Sequence, residues 1–226
     1  MIKNITMREK KSALEQKLFA EIARWTQIFE ECIKLDEVPF TDTLNVLDVG
    51  CTFSMAYNAM GLFDLLIEQG RPLSRLNYVS INKSKRDMAK IRPLLERAVT
   101  FVVGDATRLQ DILREQGLPD SYDLAIIRNP DLTSRNRRAW FRIFGQVNLV
   151  LAPAGRLILT TPYKPDHDDV MCYFSNSGSG YDVLAQGKSA YPGPYVERFH
   201  GERVIVDKFF VVAQKSQKAL QAPSST

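Results

Sequence analysis

"NVLDVGCTFS", residues 45–54, decides how the rest of the chain is read. Val46, Leu47 and Val49 favour extended, buried backbone, so the stretch opens as a strand. Gly50 follows it, and then Cys51, Thr52, Phe53 and Ser54. A glycine directly after a buried strand lets backbone approach a ligand without a Cβ in the way.

Outward from this strand the chain alternates. SMAYNAMGLFDLLIEQG (54–70) reads as a helix with a glycine stop. LNYVSI (76–81) is a strand. Ser84 and Asp87 form a capping box for a helix that Pro93 breaks. VTFVV (99–103) is a strand, ATRLQDILREQG (106–117) a helix, and YDLAIIR (122–128) a strand. Residues 135–149 form a helix with Trp140, Ile143, Phe144 and Val147 on one face, and GRLILTT (155–161) is the fifth strand. Short apolar strands alternating with helices predict an α/β fold, a doubly wound and mostly parallel sheet covered on both faces. YDVLAQGKS (181–189) and ERVIVDKFFVVAQK (202–215) read as two further strands, an antiparallel pair closing the sheet, with loop residues Tyr191 to Pro194 between them. Upstream, residues 11–35 form an extra helix with Leu14, Leu18, Ile22, Trp25, Phe29 and Cys32 on its apolar face. It packs on the edge of the domain or acts as a lid or dimer helix. The last residues, KSQKALQAPSST, predict a frayed tail.

The 226 residues suffice for one sizeable domain, and 45% hydrophobic and 25% charged content are ordinary for a globular chain. A net charge of +4 demands no nucleic-acid partner. Three scattered cysteines, Cys32, Cys51 and Cys172, argue against a disulfide framework and a structural zinc site. Neither a signal peptide nor an apolar run of about 18 residues is evident, so a cytoplasmic protein without a membrane partner is expected.

In parallel sheets ligands bind beyond the carboxyl ends of the strands. Five groups stand there: Asp48 to Thr52, Asn82 to Ser84, Gly104 to Ala106, Arg128 to Asp131, and Thr160 to Tyr163. Each has a bland role. Asp105 caps the following helix, Asp48 satisfies turn backbone, and Cys51 is a small buried residue.

In order and spacing these segments resemble the class I, Rossmann-like S-adenosylmethionine-dependent methyltransferases over residues 40–215. "VLDVGCTFS" is similar to that family's V-L-D-x-G-x-G-x-G, "VVGDATRL" to its G-D-A segment, "YDLAIIRNP" to its fourth-strand motif, and "VNLVLAPAGRLILTTP" to its L-x-P-G-G-x-L approach to strand five. The resemblance implies three parts: a helical extension at 1–40, a methyltransferase-like domain at 41–215, and a tail at 216–226. It implies S-adenosylmethionine as cofactor, held by Asp48, Gly50, Cys51, Thr52, Asn82, Lys83, Asp105, Ala106, Arg128 and Asn129. Asp105 accepts from the adenine amino group in this scheme, and Asp48 organises the methionine end. The sequence departs from the pattern at Asn82, where an acid binds the ribose, and at Thr52 and Ser54, which replace glycines. An amide still bonds a hydroxyl, and the Thr and Ser hydroxyls can donate to a carboxylate.

Arg128 fits a carboxylate or phosphate ligand, or an ion pair with Asp131 or another acid of the cleft. Asn129-Pro130 resembles the N-P-P-[YF] motif of amino methyltransferases, with Asp131-Leu132 in place of its last two residues. Tyr163 and His167 are the acid–base candidates. The Asp166-His167-Asp168-Asp169 run reads as a helix N-terminus rather than a metal site. Arg135, Arg137, Arg138 and Arg142 read as a solvated surface, and SNSGSGYD (175–182) as a substrate loop over the cleft. The functional reading is a methyltransferase acting on a small-molecule acceptor, without nucleic acid. The alternative is a catalytically degenerate module that binds a ligand or partner. A nicotinamide oxidoreductase lacks support, because no G-x-G-x-x-G stands at 48–54.

Overall fold

The computed structural model describes residues 16, 19–33, 43–50, 55–70, 76–82, 99–193, 195–199 and 202–216. Leu14, Leu18, the 51–54 loop, Lys83, the Ser84 and Asp87 pair, Pro93 and the tail beyond 216 lie outside the described residues.

The elements follow from where the apolar runs fall. In chain order they are α1 (19–32), β1 (Leu44–Val49), α2 (Met55–Glu68), β2 (Leu76–Asn82), β3 (Val99–Val103), α3 (Leu109–Glu115), β4 (Tyr122–Arg128), α4 (Arg137–Val150), β5 (Leu151–Thr161), α5 (Lys164–Ser175), β6 (Tyr181–Lys188), β7 (Tyr195–Phe199), β8 (Glu202–Ile205) and β9 (Phe209–Lys215). Seven strands form one sheet in the order β3-β2-β1-β4-β5-β9-β6. The pairs from β3 to β5 are parallel, and β9 runs antiparallel to both β5 and β6. The antiparallel pair at the end of the sheet is therefore β6 with β9.

Strand parity sorts the side chains onto two faces. Leu44 and Val46 of β1, Leu124 and Ile126 of β4, and Ile158 of β5 face α1 and α2. Leu47, Val49, Ala125, Ile127, Leu157 and Leu159 face the helices on the other side. Helix α1 packs on the main domain: Trp25, Ile28, Phe29 and Cys32 share one apolar cluster with these strands. It lies so close to α2 that a Cβ at Gly61 would stand 2.7 Å from Trp25 Cβ and 2.9 Å from the Thr26 nitrogen. Among the described residues no helix is long and apolar enough to cross a membrane.

Three expectations change. The run 202–215 is two strands, broken by a turn at Val206 and Asp207, where Asp207 takes a left-handed φ of +52°. Its first half pairs with β7 in a separate hairpin. The fifth strand starts at Leu151, because Leu151 already pairs with Tyr122 across a bulge. The segment 175–182 does not cover the carboxyl ends of the strands. Helix α5 runs back along the sheet and leaves this segment at the opposite end, where Gly180 accepts from Asn148 (2.7 Å) and from Ser216 (2.8 Å).

Candidate functional site

Register aligns the strand ends. Val49 stands beside Ile81 and Ile127, so the next row holds Gly50, Asn82 and Arg128. Asn82 pairs with Val103 on one side, and Arg128 with Thr160 on the other. Backbone bonds continue past the strands: Gly50 donates to the Ile81 carbonyl and Gly104 to the Asn82 carbonyl, both at 3.0 Å. Asn129 likewise donates to the Thr160 carbonyl at 2.8 Å, so all five predicted groups stand side by side at the ends of adjacent strands, at the usual strand spacing of about 4.8 Å.

Asp48 is fully buried and points toward α2. The Tyr78 hydroxyl donates to its carboxylate at 2.6 Å and the Asn58 amide at 3.4 Å. Tyr78 and Asn58 are therefore part of the site's frame, and nothing in the sequence pattern marked them out. Gly50 has φ +77°, and a Cβ there would meet Trp140 Cη2 at 2.6 Å. One side of the glycine is thus filled by an indole ring from α4. Asp105 does cap, accepting from the Thr107 nitrogen through Oδ1 at 3.1 Å at the head of a short 3-10 turn. Ala106 opens that turn with its methyl buried.

Beyond β4 lies a network centred on Asp207, a residue that sequence reasoning passed over as part of a strand. Arg128 donates to it from Nε (2.9 Å to each oxygen) and from Nη2 (2.7 Å). Arg24 of α1 donates at 2.9 Å, the Asn129 amide at 3.0 Å and the Thr160 hydroxyl at 2.6 Å. The Asp207 nitrogen donates back to Asn129 Oδ1 at 3.1 Å. Glu21 pairs with Arg24 at 2.8 Å and lies 3.8 Å from Arg128, whose guanidinium sits over the Trp25 ring at 5.2 Å. Burial alone would raise the Asp207 carboxyl. The charge and hydrogen bonds of Arg128, with the charge of Arg24, outweigh it and hold the carboxyl below its ordinary value. Arg128 thus pairs with Asp207. Asp131 instead accepts from the Asn136 amide at 2.6 Å.

Tyr163 and His167 stand at the head of α5. The Tyr163 carbonyl accepts from the His167 nitrogen at 3.1 Å. His167 is buried, stacks on Phe209 at 5.3 Å and lies 3.3 Å from Gln186 Oε1. Burial lowers its pKa, against the Gln186 hydrogen bond. It sits over β9 and β6, three to four strand spacings from β1, or about 14–19 Å. Among the described residues no His, Cys, Asp and Glu group is placed to hold a metal.

Asp166 lies in the first turn of α5. Burial, then the charges of Asp169 and Asp131, push its carboxyl up to about 6, against the pull of Arg137. A raised pKa makes the unfolded chain the stronger acid, so stability falls as pH rises from about 4 to about 6 and then levels. Asp166→Asn is therefore expected to raise Tm at pH 7.5 and to leave it unchanged at pH 3.5. An equal shift at both values contradicts this.

The strand-end row presents a carboxylate at Asp105, an amide at Asn82, and at Gly50 a left-handed backbone that favours glycine. A cavity of about 610 Å³ lined by Gln110, Arg114, Leu118 and Val150 is at the other end of the strands and is separate from this row.

Comparison with solved structures agrees with the topology. A TehB-like S-adenosylmethionine-dependent methyltransferase from Corynebacterium glutamicum aligns with a TM-score of 0.55 at 14% identity, over 95% of this chain and 97% of its own. The N-methyltransferase NodS from Bradyrhizobium japonicum aligns at 0.53 and 11% identity, over 88% and 97%. The CurJ carbon methyltransferase aligns at 0.53 and 16% identity over 81% of this chain, which spans 51% of its length. No protein-family model and no curated protein matches the sequence.

Proposed function

We propose that this chain, whose fold is that of the class I S-adenosylmethionine-dependent methyltransferases, binds S-adenosylmethionine across the ends of β1, β2 and β3 and methylates a small-molecule acceptor. The continuous row of Gly50, Asn82 and Gly104-Asp105 supports this reading most. When bound, the cofactor supplies a sulfonium methyl for in-line displacement. The chain's part is positioning. Asp105 accepts from the adenine amino group beside Ala106, and Asn82 and Lys83 take the ribose. Gly50, Cys51 and Thr52 take the methionine end, and Asp48, held by Tyr78 and Asn58, organises that end from β1. A base is needed only where the acceptor nucleophile carries a proton. Tyr163 follows β5 directly, whereas His167 stacks on Phe209 of β9, so Tyr163 is the candidate for that base.

A second reading, a ligand- or partner-binding module without catalysis, draws on the Asp207 network. Every side-chain hydrogen bond described for Arg128 and Asn129 runs to Asp207. Formation of S-adenosylhomocysteine with any acceptor excludes this reading.

Asp105→Ala is expected to weaken cofactor binding by about 1–3 kcal/mol, or roughly 5- to 150-fold, because a polar ligand atom loses its acceptor. Equilibrium dialysis with labelled S-adenosylmethionine measures it. Equal affinity in both proteins places the adenine elsewhere.

A further inference from the structure

Asp207 is held as a bound carboxylate would be. Two guanidiniums, an amide and a hydroxyl converge on its two oxygens, and all four donors belong to other parts of the chain: Arg24, Arg128, Asn129 and Thr160. Among the described residues Glu21 offsets one guanidinium and Asp207 the other, so a carboxylate at this position completes the charge balance of the described groups. The receptor occupies the same row as Gly50 and Asn82, at the end of the sheet where ligands bind. The group that fills it comes from a two-residue turn. Asp207 at φ +52° and Asn129 at φ +47° face each other, and both hold a conformation that favours glycine. From outside, the 189–193 segment holds the turn: Gly193 donates to the Val206 carbonyl at 2.8 Å and packs on the buried Val206 side chain, and Ser189 donates to the Lys208 carbonyl at 3.0 Å.

We propose that Arg24, Arg128, Asn129 and Thr160 form a carboxylate-binding site that the chain closes with its own Asp207. Outward movement of the Val206 and Asp207 turn opens the site to a carboxylate-bearing small molecule. That this molecule is the methyl acceptor rests on the methyl-transfer reading; the site itself does not. Arginine pairs suit carboxylates because their planar donors match both oxygens. An external carboxylate competes with a tethered one, so the turn also acts as a threshold.

Asp207→Gly tests the site directly, because glycine suits the left-handed turn and removes only the carboxylate. Formate is expected to raise the Tm of this variant saturably, with a half-effect at millimolar concentration. Chloride at equal ionic strength is expected to do much less, and Arg128→Gln in the same background to abolish the formate response. Formate no better than chloride on the folded variant overturns the proposal. Should the variant not fold without anion, formate-dependent refolding supports the site and its absence overturns it. In the wild-type chain, amides at 205–209 are expected to exchange hydrogen faster than those at 211–214. Equal protection of the two stretches means that the turn opens only with the sheet, which also overturns the proposal. S-adenosylhomocysteine binding to the same variant separates the two readings. Formate rescue without it removes the methyltransferase reading and keeps the site; the reverse removes the site alone.

Discussion

Arg128→Ala is expected to lower the free energy of unfolding by about 3–5 kcal/mol, the usual cost of removing one partner from a buried ion pair. Asp207 is fully buried, and the change leaves it with Arg24 as its one cation among the described residues. Part of the carboxylate's charge then stays uncompensated where water does not reach. Urea unfolding should show a lower midpoint at unchanged slope, because the buried surface is nearly the same. The pH dependence supplies a second reading of the same variant. In the wild type the Asp207 carboxyl lies below its ordinary value. Its contribution is therefore complete above about pH 4 and is lost as pH falls further. Without Arg128 the carboxyl is held down less, so the acid limb should be shallower. A variant as stable as wild type, with the same acid limb, contradicts the account of the network.

Trp25→Ala is the second large effect, also expected at about 3–5 kcal/mol. Trp25 is fully buried, packs against Phe29 at 5.3 Å and lies under both guanidiniums. It also abuts Gly61, where α1 lies close against α2. Its loss leaves a cavity beneath the ion network and loosens α1 together with Arg24. Its indole nitrogen makes no hydrogen bond among the described residues, so the ring alone carries the effect. Trp25→Phe should therefore recover much of the stability. If phenylalanine and alanine cost the same, the packing assignment is wrong.

Much of the sheet was legible because its signal is local. Val46, Leu47 and Val49, with Ala125 to Ile127 and Leu157 to Leu159, are fully buried apolar positions that read as strands of a covered parallel sheet. The strand-end groups at Gly50, Asn82 and Asp105 followed from those strands, and the bland role of Asp105 as a cap is present in the fold. The Asp207 network was not legible, because its partners lie far apart in sequence: Arg24 is 183 residues away and Arg128 is 79. The largely apolar run 202–215 concealed the turn, although the charged Asp207-Lys208 pair between the apolar stretches 204–206 and 209–213 was the available signal. The position of 175–182 depended on the direction of α5, which periodicity does not report. Tyr78 and Asn58 look like ordinary strand and helix residues, and only the buried Asp48 between them gives them a role.

The most direct measurement is calorimetric titration of the wild-type chain with S-adenosylhomocysteine. Binding at micromolar affinity is the expected result, and it would support the proposal that the row of Gly50, Asn82 and Asp105 holds the adenosyl group with Thr52 and Ser54 in place of glycines. No heat at millimolar ligand contradicts the central claim and leaves a methyltransferase fold with another task.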